Sequence, residues 1–228
     1  MRRIVTALSL TLALSAAVTL SATAYADCKD EVASALERQR KSSAFRMETS
    51  MISEDGKIDM TVDYVLPDRM RQVIKSEKDP VPVETIVVGN FAWSRRQGEQ
   101  WSLLNPRLTS DLVTQMQETL GDDPGQLGTF ECLGKQGVAG KDMLAYQGEN
   151  DPGGPKNLSE EDKNKPKDPG RPVRIIYVDP VTGLPTRSIF ARADHLDKPI
   201  FEATYSYPVD IKIDAPVPEK SEPGKVAQ

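Results

Sequence analysis

One histidine, two cysteines and the absence of any Cys-x-x-Cys spacing leave this 228-residue chain without the usual ligand set of a structural zinc. The histidine, His195, stands in the polar stretch Ala193-Asp-His-Leu-Asp-Lys198. Only Asp194 and Asp197 are near it in sequence. A catalytic imidazole needs a positioned nucleophile or metal, so His195 reads as a surface residue. No serine lies in a G-x-S-x-G context. There is no H-E-x-x-H, no phosphate-binding glycine loop and no calcium-loop spacing. The sequence therefore predicts no enzyme, no metal and no cofactor. Bases are also scarce: 29 Lys and Arg against 34 Asp and Glu give a net charge of −5. That balance argues against a nucleic acid partner, which needs a basic patch, and against tight docking on anionic headgroups.

Long apolar runs are missing beyond the first 26 residues. Within them, Met1-Arg2-Arg3 is basic, Ile4 to about Thr19 is uncharged and rich in Leu and Ala, and Ala24-Tyr25-Ala26 offers a small-x-small exit. Together these define a secretory signal peptide cleaved after Ala26. The core is too short for a membrane span, which needs about 20 predominantly apolar residues. Cys28 follows Asp27, not the small residue a lipidated cysteine requires, so no stable membrane anchor is expected. The mature chain, about 200 residues, is long enough to bury one core, and we expect a single domain over residues 27–214 in the periplasm. In that oxidising compartment Cys28 and Cys132 read as one disulfide, pinning the free N-terminus to a strand.

Residues 27–41 carry Val32, Ala35, Leu36 and Gln39 on one face, the pattern of a helix docked on a core. From Phe45 the period changes to two. Phe45 to Met51 and Ile58 to Leu66 flank Glu54-Asp-Gly-Lys57, a strong hairpin signal. Strands follow at Met70 to Lys75, Val83 to Val88, Phe91 to Arg95 and Gln100 to Leu104. They form an antiparallel meander with one apolar and one charged face. Asn105 then caps a helix in which Leu108, Leu112, Met116 and Leu120 recur at helical spacing. Strands resume at Thr129 to Lys135 and Lys141 to Gln147, with a turn over Gly137 to Gly140. Residues 148–170 are Pro, Gly and charge and are expected to form a flexible loop. Three further strands are predicted at Arg174 to Asp179, Leu184 to Ala191 and Phe201 to Tyr207. The Pro- and charge-rich tail 215–228 is expected to be disordered.

The segment G-K-I-D-M-T-V-D-Y-V-L-P-D-R-M-R, then E-T-I-V-V-G-N-F-A-W, then Q-G-E-Q-W, covers Gly56 to Trp101. It resembles the periplasmic lipoprotein-carrier superfamily, the LolA/LolB-like proteins, with Pro67, Glu84, Val88, Gly89 and Trp93 at the matching positions. Ile176 to Arg187 is similar to that family's final strands. The resemblance implies an α+β fold: a curved antiparallel sheet forming an incomplete barrel, helices on its concave side, and an apolar cavity for acyl chains between them. The residues are compatible with such a cavity. Met47, Met51, Met60, Met70 and Met116 fall on inward positions, and methionine suits surfaces that repack around varied apolar partners. With Val62, Tyr64 and Leu112 they form the candidate lining, and Trp93 and Trp101 are candidates for its mouth. Core packing and ordinary cross-strand packing are the equal alternatives. Arg69 and Arg71 share one face and are candidates to hold a headgroup or a partner's carboxylate; a solvated strand face is the plainer alternative.

The sequence thus predicts a periplasmic carrier of a lipid or of an acylated protein. The rival is an envelope sensor or protein-interaction module on the same fold, with an envelope protein as partner and no lipid transport.

Overall fold

Alternation of polar and apolar side chains from Phe45 onward builds the first hairpin. In the computed structural model, which describes residues 28–54, 56–121, 128–149 and 169–217, β1 (Ala44–Ser53) pairs antiparallel with β2 (Gly56–Val65), from Ala44↔Val65 to Ser53↔Gly56. Gly56 takes φ 96°, a conformation that a side chain would oppose. The meander continues through β3 (Arg69–Ser76), β4 (Val83–Val88), β5 (Phe91–Arg96) and the two-residue β6 (Ser102–Leu103). The Leu66–Pro67 peptide between β2 and β3 is cis.

Among the described residues two helices lie against this sheet. α1 (Lys29–Lys41) precedes it and α2 (Pro106–Gly121) follows β6. Asn105 caps α2, its Oδ1 accepting the N–H of Leu108 at 3.0 Å. The second meander is β7 (Phe130–Val138), β8 (Lys141–Glu149), β9 (Pro172–Val178), β10 (Pro185–Arg192) and β11 (Phe201–Ser206). All eleven strands form one sheet in the order β6-β5-β4-β3-β2-β1-β11-β10-β9-β8-β7. The ends, β6 and β7, do not pair with each other, so the sheet is an open, curved half-barrel. The join between the two meanders is the β1–β11 ladder, from Arg46↔Ser206 to Met51↔Phe201.

Three apolar clusters hold the layers together. On the face toward the helices, α1 contributes Cys28, Val32, Ala35 and Leu36 against Phe130, Tyr146, Ile176 and Val178. On the same face α2 contributes Met116 against Phe45, Val62, Tyr64, Met70, Val87 and Ala92. The third cluster, Met143, Ala145, Ile175, Tyr177, Ile189 and Ala191, lies on the opposite face of β8–β10. The middle of the second meander, around β9, is therefore buried on both faces, which is why Val173 to Val178 is a continuous apolar run broken only by Arg174. Cys28 and Cys132 form the expected disulfide, tying the start of α1 to β7.

Two predicted boundaries shift. β7 runs on to Val138, and its hairpin closes through Ala139-Gly140 alone, with φ 48° and 78°; two consecutive left-handed residues match the right-handed twist of the flanking strands. Gly148 and Glu149, assigned to the loop by composition, extend β8 in register with Arg174 and Val173. The signal peptide at 1–26, most of the predicted loop 148–170 and the tail beyond residue 217 lie outside the described residues. Among the described residues no helix is long and apolar enough to cross a membrane.

Candidate ligand-binding site

Strand alternation decides which predicted lining residues meet. Val62, Tyr64, Met70 and Met116 are buried together under α2, with exposures of 1 to 3%. Met47, Met60 and Leu112 are half-buried and packed on them. Phe45 stacks on Tyr64 with ring centroids 4.7 Å apart. Burial pushes the Tyr64 hydroxyl up to about 12. The space beneath α2 is thus filled by side chains.

Trp93 and Trp101 do not line a cavity mouth on this face. Ala92, wholly buried, takes the inward position on β5, so Trp93 turns to the convex face, opposite Ile86 and Leu103. Trp101 lies beneath Arg95, whose guanidinium carbon is 4.3 Å from the ring centroid. Arg69 and Arg71 are also convex. Arg69 donates from Nη1 to the Ile213 carbonyl at 2.6 Å and to Asp214 at 3.2 Å, tying the segment after β11 to β3. Arg71 belongs to a ladder that crosses five strands. Arg46 donates to both oxygens of Asp63 at 2.6 and 3.1 Å, Arg71 to Glu84 at 2.5 Å, and Arg95 to Glu84 at 2.8 Å. Burial alone would raise the Glu84 carboxyl, but the bonds from Arg71 and Arg95 outweigh it and hold the group below its ordinary range.

What remains open on the concave face lies between the helices, across the join of the two meanders. Two rows of side chains stand there in register. One runs Met60, Thr49, Ala203, Ser188 across β2, β1, β11 and β10. The other runs Ile58, Met51, Phe201, Phe190, Arg174 and reaches β9. The first row is a floor: Thr49 and Ser188 are 5% exposed and Ala203 is fully buried. The second is half-buried from Met51 to Arg174. Arg174, Ser188, Phe190, Phe201 and Tyr205 line a cavity of about 290 Å³ at this point. Small residues below and aromatic rings beside it make a slot that an apolar chain can enter.

Of the predicted lining, Met51 and Met60 stand in the two rows that lead from this cavity across the concave face, and Met47 stands opposite Tyr205. Phe190, Phe201, Tyr205, Ser188 and Arg174 were not anticipated. In Phe201-Glu-Ala-Thr-Tyr205 alternation puts Phe201 and Tyr205 on one face, whereas β9 and β10 carry apolar residues on both faces and no local signal marks Arg174, Ser188 and Phe190 as inward. The pairing of β1 with β11 across the whole chain decides it.

A second apolar groove, about 400 Å³, opens at the sheet edge between β5–β6 and the start of α2, lined by Phe91, Leu103, Leu104, Pro106 and Val113. Its rim includes Phe91 at 60% and Leu103 at 62% exposure. Among the described residues no group of three or more His, Cys, Asp or Glu could hold a metal ion.

This order of strands, open at both ends and with two helices on the concave side among the described residues, is also the fold of two mycobacterial proteins of known structure. The crystal structure of LprF from Mycobacterium bovis shares it with a TM-score of 0.52 at 14% identity, over 83% of this chain and 96% of that one. The Mycobacterium tuberculosis lipoprotein LppX is similar at the same TM-score and identity, over 82% of this chain and 97% of that one. The Pseudomonas aeruginosa MucA/MucB complex is a more distant likeness, with a TM-score of 0.43 and 15% identity over 81% of this chain and 59% of that one. No protein-family model and no curated protein matches the sequence.

Proposed function

We propose that this protein is a non-catalytic carrier that holds the acyl chain of a lipid, or of an acylated protein, in the concave slot between α1 and α2. The observation that carries the reading is the row Met51, Phe201, Phe190: three large apolar side chains left half-exposed on the inner face of a sheet whose neighbouring inner positions are closed. Soluble domains rarely leave such a strip uncovered without a partner for it. Each methylene buried there would contribute about 0.8 kcal/mol, so a modest length of chain suffices for measurable affinity. The disulfide supports a working location outside the cytoplasm, in the periplasm once the signal peptide is removed.

The edge groove with its exposed Phe91 and Leu103 favours a second element of the same reading, a surface on which a delivering or receiving envelope protein docks. It is also what an interaction module without lipid transport would keep.

Displacement of a fluorescent fatty acid from protein purified without detergent tests the proposal. Replacing Phe201 by serine should weaken uptake about tenfold or more, at roughly 25 cal/mol per Å² of apolar surface removed. Phe91→Ser, at the edge, should leave it unchanged. An intact protein that takes up no acyl probe at all would refute the carrier reading and leave the interaction module.

A further inference from the structure

The concave slot contains one positive charge, and it lacks the partner that every comparable arginine on the convex face has. Arg46, Arg71, Arg95 and Arg187 each donate to a carboxylate at 2.5 to 2.8 Å. Arg174, at the end of the row Met51, Phe201, Phe190, makes a single hydrogen bond, from Nε to Ser188 Oγ at 3.3 Å. Its two terminal nitrogens carry no partner among the described residues. It is half-buried beside Phe190 and Phe201 and is one wall of the 290 Å³ cavity. A guanidinium is always charged and presents five N–H donors, so four remain unused here. Half-buried, those donors face the cavity, and a bound carboxylate or phosphate would meet two of them at once through a bidentate, charge-assisted contact.

The floor of the slot repeats the pattern. Thr49 Oγ1 is buried on the same face, one strand beyond Ala203, and has no hydrogen-bond partner. Buried hydroxyls are normally satisfied, and each exception asks for an explanation. Arg174 ends a strip that is otherwise aromatic or thioether, and Thr49 stands in the floor row beside that strip, which outlines an elongated ligand with one charged end.

From this we infer that the slot selects amphiphiles with an anionic head, a carboxylate or a phosphate joined directly to an acyl chain, and that Arg174 is the residue that reads the head. The apolar chain then lies along Phe190, Phe201 and Met51 toward Met60. This rests on the carrier reading above and adds a specificity to it. A neutral amphiphile of the same length enters the slot with its chain alone and leaves Arg174 unpaired.

The test compares oleate, oleoyl lysophosphatidate and oleyl alcohol, below their aggregation concentrations, on the purified mature protein and on Arg174→Gln and Arg174→Lys. The two anions should bind about tenfold to a hundredfold more tightly than the alcohol, the range expected of a charge-assisted pair. Arg174→Gln should abolish that difference by weakening the two anions towards the affinity of the alcohol, and Arg174→Lys should restore part of it. Acetate and inorganic phosphate, with no chain, should not bind. If Arg174→Gln leaves oleate and alcohol in their wild-type ratio, the inference is overturned while the carrier reading stands. The same holds if free phosphate binds as tightly as the lipids, which would make this a small-anion site. If the native protein binds none of the three amphiphiles, both fall together. Near-UV circular dichroism and the melting temperature of each variant, unchanged from wild type, exclude misfolding as the cause of a loss.

Discussion

Removing the Cys28–Cys132 bridge should loosen one wall of the slot, and the size of the effect can be worked out. The bridge joins residues 104 apart and ties the start of α1 to β7. In the chain-entropy model a closed loop of that length contributes about 4.7 kcal/mol by restricting the unfolded chain, and measured losses for native disulfides run from about 2 to 5. At 2–4 °C per kcal/mol for a domain of this size, the Cys28→Ser, Cys132→Ser double variant should melt roughly 5–20 °C lower. It should still fold, because α1 keeps its apolar face: Val32 is fully buried, Ala35 is 3% exposed and Leu36 8%, all against β7–β9. Tyr146 also donates to Glu31 at 2.6 Å across the same contact. Thermal unfolding followed by circular dichroism, with and without dithiothreitol, is the assay, and reductant should lower the wild type to the level of the variant. A shift below about 2 °C would refute the reasoning, because α1 would then be held by its apolar face alone. A variant that loses lipid uptake while keeping its melting temperature would refute it from the other side.

Met116→Ala, beneath α2, should cost about 2–5 kcal/mol in urea unfolding, since Met116 is 2% exposed among large neighbours and little can collapse into the space. Acid sensitivity should trace in part to Glu84. Its carboxyl is held below the ordinary value in the folded protein, so its contribution is present above the unfolded value near 4.5 and is lost as pH falls through the lower, folded one. Glu84→Gln should therefore lower stability at pH 7 and flatten its decline between pH 5 and 3; an unchanged slope in denaturation midpoints against pH would count against the ladder. Trp93→Ala, on the convex face, should leave lipid affinity intact, and a loss comparable to that of Phe201→Ser in the displacement assay would contradict the orientation of β5.

Much of this architecture was readable from local pattern. The alternation of Ile58, Met60, Val62 and Tyr64 with Asp59, Thr61 and Asp63 specifies both the strand and its inward face, because only one face is apolar. Asn105 and the Leu108, Leu112, Met116, Leu120 spacing specify α2 in the same way. The reading fails where both faces can be apolar. In Phe91-Ala-Trp93 the larger residues suggest the inside, yet the small Ala92 fits under α2 and Trp93 packs outside. In Val173 to Val178 one parity packs on α1 and the other builds the convex cluster, so no period marks Arg174 as concave. The slot is less legible still. Its row joins Met51 to Phe201, 150 positions later in the chain, and that register follows from the β1–β11 pairing rather than from either strand.

That pairing also sets a timetable. Strands adjacent in sequence can zip as soon as they exist, but β1 must wait for β11, and contacts of such long sequence separation are the slow ones. A chain emerging N-terminus first could complete β1 to β6 and shelter Phe45, Val62 and Met70 under α2 before β11 had reached β1. A ligand of the proposed slot could lodge only after residues 201–206 had arrived and docked. A molecule then lying across Met51 and Phe201 touches the earliest strand and the latest together. Occupancy would act as a rivet between two separately formed halves, making the loaded protein harder to pull apart than the empty one.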